Sequence, residues 1–448
     1  MDSLQQLAAS FANAVWGTPL VVLLLGGGLF FALYSRFLPY RHFGHAIGIM
    51  LGRHDTPGEP GELSHAQALA AALSGTMGMG NISGVALAIA AGGPGAVFWM
   101  WMSALVGIST KFFTCTLGVM YRGKDSAGQL QGGPMYIIRE ALPRAFFPLA
   151  ILFSLAGLIG TLPIFQANQL TALIRDNLFA GHAPGSANLL IGCVMAAVVG
   201  AVVFGGLQRV ARVAVTLLPL MMVTYMAMTL YLLLLHSEQV PDLLASIVTD
   251  AFNPQAVGGG LVGVILIGVS RGVFSNEAGV GTEVMAHGAA RTNEPVREGL
   301  VAMLGPVADT LIVCTCTALV ILLAGTWQDP GDLSGITLTA NAFRQDLGSL
   351  GSGLLLFVTL ILASTTMFTM WYYGAKCFGF LFGARLQNYY RWFFVLAVIF
   401  GATVSIDIVF NLISGSYGLM AIPTMVSTLL LAGKVRMAAR EYFQRHPY

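Results

Sequence analysis

Two short runs combine glycines with hydroxyl and amide side chains inside otherwise apolar stretches. The first reads SGTMGMGNISG at residues 74–84, and the second reads SRGVFSNEAGVG at residues 270–281. Each glycine costs about 1 kcal/mol of helix propensity relative to alanine, so both clusters predict unwound backbone. Unwound peptide groups offer N–H donors to a carboxylate and carbonyls to a cation. The runs are therefore candidates for a binding site, although close-packed glycines in ordinary helices remain the alternative.

The composition around these runs is that of a membrane protein. Only 9% of the 448 residues are charged, 56% are hydrophobic, and the mean hydropathy is +0.76. A soluble domain carries about 25% charged residues. The net charge of +2 gives no indication of nucleic-acid binding. The five cysteines fall in or beside apolar stretches and are interpreted as small buried apolar residues.

Apolar windows predict an all-α polytopic membrane protein with about eleven transmembrane helices. A membrane-spanning helix needs about 20 mostly apolar residues in succession. The predicted spans cover residues 17–35, 66–92, 97–120, 147–173, 188–205, 213–235, 258–287, 300–325, 352–375, 392–411 and 417–433. The connections between them are short, so residues 1–448 are predicted to form a single integral membrane domain.

The positive charges in the connections predict the orientation. If the N-terminus lies outside, 17 of the 22 lysines and arginines fall in cytoplasmic segments and two fall outside. Cytoplasmic loops carry such an excess of lysine and arginine. The expected location is the plasma membrane, the inner membrane of a bacterium, with the C-terminus in the cytoplasm.

The two glycine-rich runs occupy corresponding places in two halves of the chain. The first begins the five predicted spans of residues 66–235, and the second begins the five spans of residues 258–433. Paired interruptions of this kind indicate inverted repeats with a binding site near the middle of the bilayer. A channel would need a continuous polar stripe instead, and a membrane-embedded enzyme would need a nucleophile with its base or a set of metal ligands.

Ionisable side chains inside the spans are costly and are therefore functional candidates. Four acids lie there: Glu277, Glu283, Asp309 and Asp407. We predict that Glu277 supports the second run, with an ion pair to Arg271 or Lys111 as the alternative. Asp309 is interpreted as a cation ligand or as a structural hydrogen-bonding group. The other two acids lie nearer the membrane faces, where gating or solvated roles are expected.

Further polar side chains lie within predicted spans. Gln166 is a buried amide that needs either a substrate or another helix as partner. Thr365, Thr366 and Thr369 present neighbouring hydroxyls, which on spacing alone bond back to their own helix. The eight histidines fall in loops or at span ends, which argues against a proton relay through the membrane.

Several long motifs resemble the alanine or glycine:cation symporter family, also called the sodium:alanine symporters. They are GTMGMGN at 75–81, GGPGAVFWMW at 92–101, GGPMY at 132–136, FSNEAG at 274–279, PVREGLVAMLGP at 295–306 and YYGAKC at 372–377. The resemblance extends over residues 64–433. It implies a leucine-transporter-like 5+5 inverted repeat preceded by one extra helix. It also implies Na+-coupled uptake of alanine or glycine, with no enzymatic activity and no organic cofactor.

The resemblance also implies the site residues. Substrate-binding positions are Thr76, Gly78, Met79, Gly80, Gln166, Phe274, Ser275, Asn276, Thr366 and Trp371. A Na+ site is implied at the carbonyls of Ser74 and Met77 and the hydroxyls of Thr365 and Thr366. A second cation site near Thr76, Asn81 and Ser275 follows from fold-level analogy alone.

Two positions depart from the family pattern. The family often has a small hydroxyl residue where Met79 stands, and a small residue and a proline near Glu283 and Val284. Because Met79 adds volume beside the substrate backbone, the identity of the amino acid is the least determined part of the prediction. An ion or amino-acid channel, or an H+-coupled carrier of another small amino acid, is the alternative function.

Overall fold

The structure is a computed structural model that describes residues 2–54, 58–179, 186–253 and 260–446. Within these ranges it is mostly α-helical. The helices are α1 Asp2–Val15, α2 Thr18–Tyr34, α3 Leu38–Arg41, α4 Phe43–Met50, α5 His65–Thr76, α6 Val85–Gly92, α7 Gly95–Met120, α8 Pro134–Ala141, α9 Phe147–Gly160, α10 Ile164–Phe179, α11 Ala187–Val203, α12 Gly206–Leu235, α13 Val240–Asp250, α14 Gly260–Asn276, α15 Thr282–His287, α16 Pro295–Ala302, α17 Leu304–Pro306, α18 Thr315–Ala324, α19 Ile336–Phe382, α20 Gln387–Thr403 and α21 Ile406–Arg445.

Short irregular elements join these helices. They are π-helical turns at Gly80–Gly84 and Val307–Cys314, 3-10 turns at Arg144–Phe146 and Ala384–Leu386, and an antiparallel hairpin of β1 Gly123–Lys124 with β2 Leu130–Gln131. The first of these π-helical turns is buried throughout, and the second buries Asp309, Thr310, Val313 and Cys314. π-Helical turns inside longer helices are frequent at functional sites.

The described residues contain six helices that are long and apolar enough to cross a membrane, or up to eight if each of two bent helix pairs forms one span. Two shorter apolar helices are Ala187–Val203 and Gly260–Asn276. The chain is therefore a multi-pass membrane protein. The number of eleven spans stays a prediction, and the first two residues of the predicted span 258–287 lie outside the described residues.

Both predicted interruptions are present. Helix α5 and the segment Gly80–Gly92 meet at an angle of 49°. Helices α14 and α15 are separated by residues 277–281, where Gly279 and Gly281 have φ values of 84° and 97°. These left-handed conformations favour glycine because a Cβ atom would clash with the backbone. The local glycine content thus breaks both helices as the sequence predicts.

Close helix packing places the second break at the centre of the bundle. Helix α14 crosses α7, and a Cβ added at Gly272 would lie only 3.0 Å from the Cα of Met100. Small residues permit such approach in membrane helices, where dispersion and hydrogen bonds drive association. The π-helical turn Gly80–Gly84 also contacts α14, so the two interruptions lie side by side.

Candidate functional site

The first break is held open by an amide side chain. Helix α5 ends at Thr76, and Met77 adopts a ψ of 82° that no helix continues. The N–H of Gly78 then donates to the Oδ1 of Asn81 at 3.0 Å and to the carbonyl of Thr76 at 2.9 Å. Because a backbone N–H can only donate, the amide oxygen of Asn81 faces Gly78 and its Nδ2 points away from Gly78.

The second break contains a strained acidic residue. Glu277 has a φ of 56°, a left-handed conformation that costs a non-glycine residue about 1–3 kcal/mol. Its buried carboxylate accepts hydrogen bonds from the hydroxyls of Thr282 and Tyr417, the latter at 2.9 Å. Among the described residues it forms no ion pair with Arg271 or Lys111. Glu277 therefore stabilises the unwound segment through hydroxyl groups.

Asp309 connects the two breaks. Its Oδ1 accepts a hydrogen bond from the Nδ2 of Asn81 at 2.6 Å, and its Oδ2 accepts one from the hydroxyl of Ser275 at 2.9 Å. The hydroxyl of Thr310 also donates to Oδ2, at 2.8 Å. All four side chains are buried. A carboxylate with hydroxyl oxygens around it is a hard-oxygen donor set, which suits an alkali cation.

Two residues of the analogy-based second cation site, Asn81 and Ser275, contact Asp309. The Oδ1 of Asn81 accepts from the N–H of Gly78 and keeps a second lone pair, while its Nδ2 donates to Asp309. The hydroxyl of Thr76 lies 3.4 Å from the carbonyl of Leu73 in its own helix. The oxygens that converge here are those of Asp309 and Ser275.

The residues predicted to form a Na+ site join the first break to α19 by hydrogen bonds. The hydroxyl of Thr366 donates to the carbonyl of Ser74 at 2.8 Å, while the hydroxyl of Thr365 bonds the carbonyl of Ile361 in its own helix at 2.9 Å. A Cβ at Gly78 would lie 2.5 Å from the Oγ1 of Thr366, so only glycine fits there. The hydroxyls of Ser74 and Thr369 share a further hydrogen bond of 2.6 Å.

The structure brings several predicted substrate residues together. A Cβ at Gly80 would lie 3.3 Å from the Cα of Ser275 and 3.5 Å from the ring of Phe274, so the breaks touch at this point. Met79 is fully buried. Gln166 is 7% exposed, and its Oε1 has no hydrogen-bond partner among the described residues. A buried acceptor of this kind needs a partner such as a bound ligand.

Two predicted substrate residues have other contacts. The indole of Trp371 lies 5.4 Å from the guanidinium of Arg391 in α20. The amide of Asn276 accepts a hydrogen bond from the N–H of Ala278 at 2.9 Å and reaches Ser103 at 3.5 Å. Asn276 therefore stabilises the second break in this conformation.

One end of the molecule contains the ion pair of Arg445 with Glu294, and we call it the C-terminal end. A buried cluster that was not predicted from the sequence closes this end. The Nδ1 atoms of His65 and His287 lie 2.5 and 2.6 Å from the two carboxylate oxygens of Glu298. All three side chains are at most 1% exposed. The cluster thus joins the ends of the broken helices, α5 and α15, to α16.

Backbone contacts reinforce this closure. The guanidinium of Arg122 donates to the carbonyls of Gly288, at 2.8 Å, and of Thr292, at 3.0 Å. Leu63 and Ala290 form a parallel β-bridge between the segments that precede α5 and follow α15. The sequence did contain a signal for this cluster. Two histidines and an acid lie at the ends of helices that the predicted topology places on the same side of the membrane.

The opposite end is closed by a layer of amides. The Oε1 of Gln169 accepts hydrogen bonds from the hydroxyl of Ser83 and from the N–H of Ile336, the latter at 3.1 Å. The Nδ2 of Asn168 donates to the carbonyl of Val404 at 2.6 Å. A cavity of about 470 Å³ adjoins these amides and is lined also by Arg175 and other polar residues. The centre is therefore enclosed by hydrogen-bonded layers at both ends.

Two broken helices that meet in an enclosed polar centre of a multi-pass bundle define a membrane transporter architecture. The fold is similar to that of MhsT, whose crystal structure in complex with L-phenylalanine matches with a TM-score of 0.61 over 85% of this chain and 98% of that chain, at 14% identity. The model of the sodium:alanine symporter family matches residues 1–447. The chain belongs to the sodium:alanine symporter family, and the resemblance seen in its motifs is confirmed.

Several relatives match nearly the whole chain. The sodium/alanine symporter AgcS of Methanococcus maripaludis is 37% identical over 94% of this chain and 93% of its own. The probable sodium/glutamine symporter GlnT of Bacillus subtilis is 33% identical over 98% and 91%. An uncharacterized transporter of Haemophilus influenzae is 38% identical over 99% and 97%.

Proposed function

We propose that this protein carries a small neutral amino acid, alanine or glycine, into the cell together with Na+. The observation that carries the proposal is the link between the two breaks, in which Asp309 holds Asn81 and Ser275 while Thr366 holds the carbonyl of Ser74. Family membership and the name of the relative AgcS support Na+ and alanine as the transported species.

The proposed arrangement in the membrane is eleven spans in a 5+5 inverted repeat preceded by one extra helix. The N-terminus lies outside and the C-terminal end faces the cytoplasm. The distribution of lysines and arginines supports this orientation, and the likeness to the fold of MhsT supports the repeat.

Transport is proposed to proceed by alternating access. Na+ bound at Asp309, or between Ser74 and Thr366, contacts both a broken helix and the helices beside it. It therefore distinguishes conformations that move these elements apart, and coupling requires such a difference. Opening the amide layer of Asn168 and Gln169 admits the substrate, and opening the cluster at Glu298 releases it.

The substrate itself is proposed from volume and polarity. The unpartnered Oε1 of Gln166 suits a donor such as an α-ammonium group, and Met79 reduces the space beside the first break. A small side chain is therefore expected. The name of the relative GlnT makes glutamine the competitor to test.

Uptake by purified protein in liposomes tests the proposal. Labelled alanine should accumulate when an inward Na+ gradient is imposed, and glycine should compete better than serine or glutamine. Accumulation that persists when K+ replaces Na+ would contradict the coupling, and flux without accumulation would indicate a channel. An imposed H+ gradient in the absence of Na+ tests the H+-coupled alternative.

Thr366→Val is expected to raise the Na+ concentration needed for half-maximal uptake about tenfold, since a lost hydrogen bond or ion contact costs about 1–1.5 kcal/mol. The side chain keeps its shape but no longer offers oxygen beside the carbonyl of Ser74. Thr359→Val is the matched control, because the Thr359 hydroxyl in the same helix has no hydrogen-bond partner among the described residues. Unchanged Na+ dependence of Thr366→Val would remove Thr366 from the cation site.

Gln166→Leu is expected to raise the KM for alanine by about tenfold or more, because a hydrogen bond to a charged group contributes about 1.5–3 kcal/mol. Its Na+ dependence at saturating alanine should change little. Gln131→Leu, which alters an amide in the hairpin, is the control and should leave KM unchanged. If both variants have the parent KM, Gln166 does not contact the substrate.

A further inference from the structure

Basic side chains from two remote segments converge at the C-terminal end of the molecule. They line two cavities, of about 200 and 430 Å³, that share Arg436 and Arg440. We call this region the basic groove; its charged residues are Arg36, Arg41, Lys434, Arg436 and Arg440. The segment after α2 contributes the first two, and the last turns of α21 contribute the other three.

An unusual turn brings the first segment to α21. Arg36 and Phe37 follow the end of α2 with φ values of 56° and 58°. Two successive left-handed residues that are not glycine are strained, and they persist only where surrounding contacts impose them. The turn leads the chain into α3, and Arg36 and Arg41 line the smaller cavity together with Arg436 and Arg440 of α21.

The charges of the basic groove have no acidic partner within the part of the chain that the structure describes. No aspartate or glutamate of the described residues lies within 4.0 Å of the cationic groups of these five side chains. The guanidinium of Arg436 instead lies 4.7 Å from the centre of the Tyr34 ring. A group of unpaired guanidinium groups around a cavity suits a phosphate, which arginine can bind with two parallel hydrogen bonds.

Apolar side chains extend the groove along the membrane-facing side of α21. Leu430 and Met437 line the larger cavity together with Lys434 and are 55% and 51% exposed. Their spacing of four and three residues places all three on one face of the helix. An amphiphile would bind the arginines through its charged group and this apolar face through its hydrocarbon chain. A free anion would contact only the arginines.

We propose that the basic groove binds the phosphate group of an anionic phospholipid. Basic pockets between membrane helices bind such headgroups. The excess of positive charge expected on a cytoplasmic face accounts for the number of arginines. It does not account for their convergence on two adjoining cavities, one of which has an apolar wall. This proposal does not depend on the transported substrate.

Native mass spectrometry of the full-length protein in detergent tests the proposal, with phosphatidylglycerol and phosphatidylcholine supplied in equal amounts. The parent should retain phosphatidylglycerol in preference. The double variant Arg436→Gln, Arg440→Gln should retain about thirtyfold less phosphatidylglycerol, because each positive charge removed near the headgroup weakens binding about fivefold. The matched control Arg385→Gln removes an exposed arginine outside both cavities and should bind lipid like the parent.

Competition with a free anion distinguishes a lipid site from a phosphate site. Inorganic phosphate at millimolar concentration should not displace the lipid; displacement would mean that the groove is a site for free phosphate and would overturn the proposal. Equal retention by the double variant and the parent, or equal losses in the double variant and the control, would overturn it as well. Size-exclusion profiles and circular dichroism identify any variant that fails to fold, and single substitutions at Arg436 or Arg440 then replace the double variant.

Discussion

Asp309→Asn is expected to raise the Na+ concentration for half-maximal alanine uptake about thirtyfold or more, corresponding to about 2 kcal/mol for the loss of a charged ligand or hydrogen-bond acceptor. The amide has nearly the same shape as the carboxylate. Its oxygen can still accept from Asn81, and its NH2 group can donate to the hydroxyl of Ser275 if that hydroxyl rotates. The substitution therefore removes the charge while the link between the two breaks can be kept.

The result separates the two roles considered for Asp309. A group that only bridges Asn81 and Ser275 would tolerate the amide, and Na+ dependence would stay normal. Asp407→Asn is the control, because it makes the same chemical change at an exposed position that accepts a hydrogen bond from Gln5 at 2.7 Å. Normal Na+ dependence in a folded Asp309→Asn protein would remove the residue from the cation site.

Glu298→Gln is expected to shift the protein toward conformations that are open at the C-terminal end. Each charge-assisted hydrogen bond to the carboxylate is worth about 1.5–3 kcal/mol, and the amide offers only one oxygen to His65 and His287. Hydrogen–deuterium exchange should therefore increase by about tenfold or more in residues 63–76 and 282–291, since local opening governs exchange. The KM for external alanine should rise, because fewer molecules hold the substrate-accepting conformation.

A neighbouring acid provides the control for this substitution. Glu294→Gln removes the carboxylate that precedes α16 and pairs with the exposed Arg445, and such a pair contributes little to stability because solvent screens it. Exchange in both segments should then stay near that of the parent. Faster exchange throughout the protein would indicate general destabilisation, and unchanged exchange in Glu298→Gln would show that the cluster does not hold this end closed.

The position of the two breaks could be predicted because the signal is local. Helix propensity depends on the residues within a few turns, so the glycines at 75–84 and 272–281 weaken the helix wherever the chain folds. The roles of individual side chains are not set by such a local signal. The substrate-lining roles of Trp371 and Asn276 stay predictions: Trp371 lies beside Arg391 with its Nε1 unpartnered among the described residues, and Asn276 accepts from the N–H of Ala278.

The buried polar groups could not be placed in the same way. Asn81 and Asp309 are 228 residues apart, and His65 and Glu298 are 233 residues apart. No local pattern records such a pairing, because only the packing of several helices decides which side chains meet. The histidines and the acid at helix ends indicate that each needs a partner once it is buried, but their sequence positions do not say which partner each one finds.

The sequence by itself determined the membrane class, the two interrupted helices and the family, since hydropathy, glycine content and motifs are read from neighbouring residues. The tertiary structure decided which oxygens converge. It joined Asp309 to both breaks, set the amide oxygen of Asn81 against the N–H of Gly78, and joined His65 and His287 through Glu298. The physical reason is that buried charged and polar groups depend on specific long-range hydrogen bonds, which form only after the helices have packed.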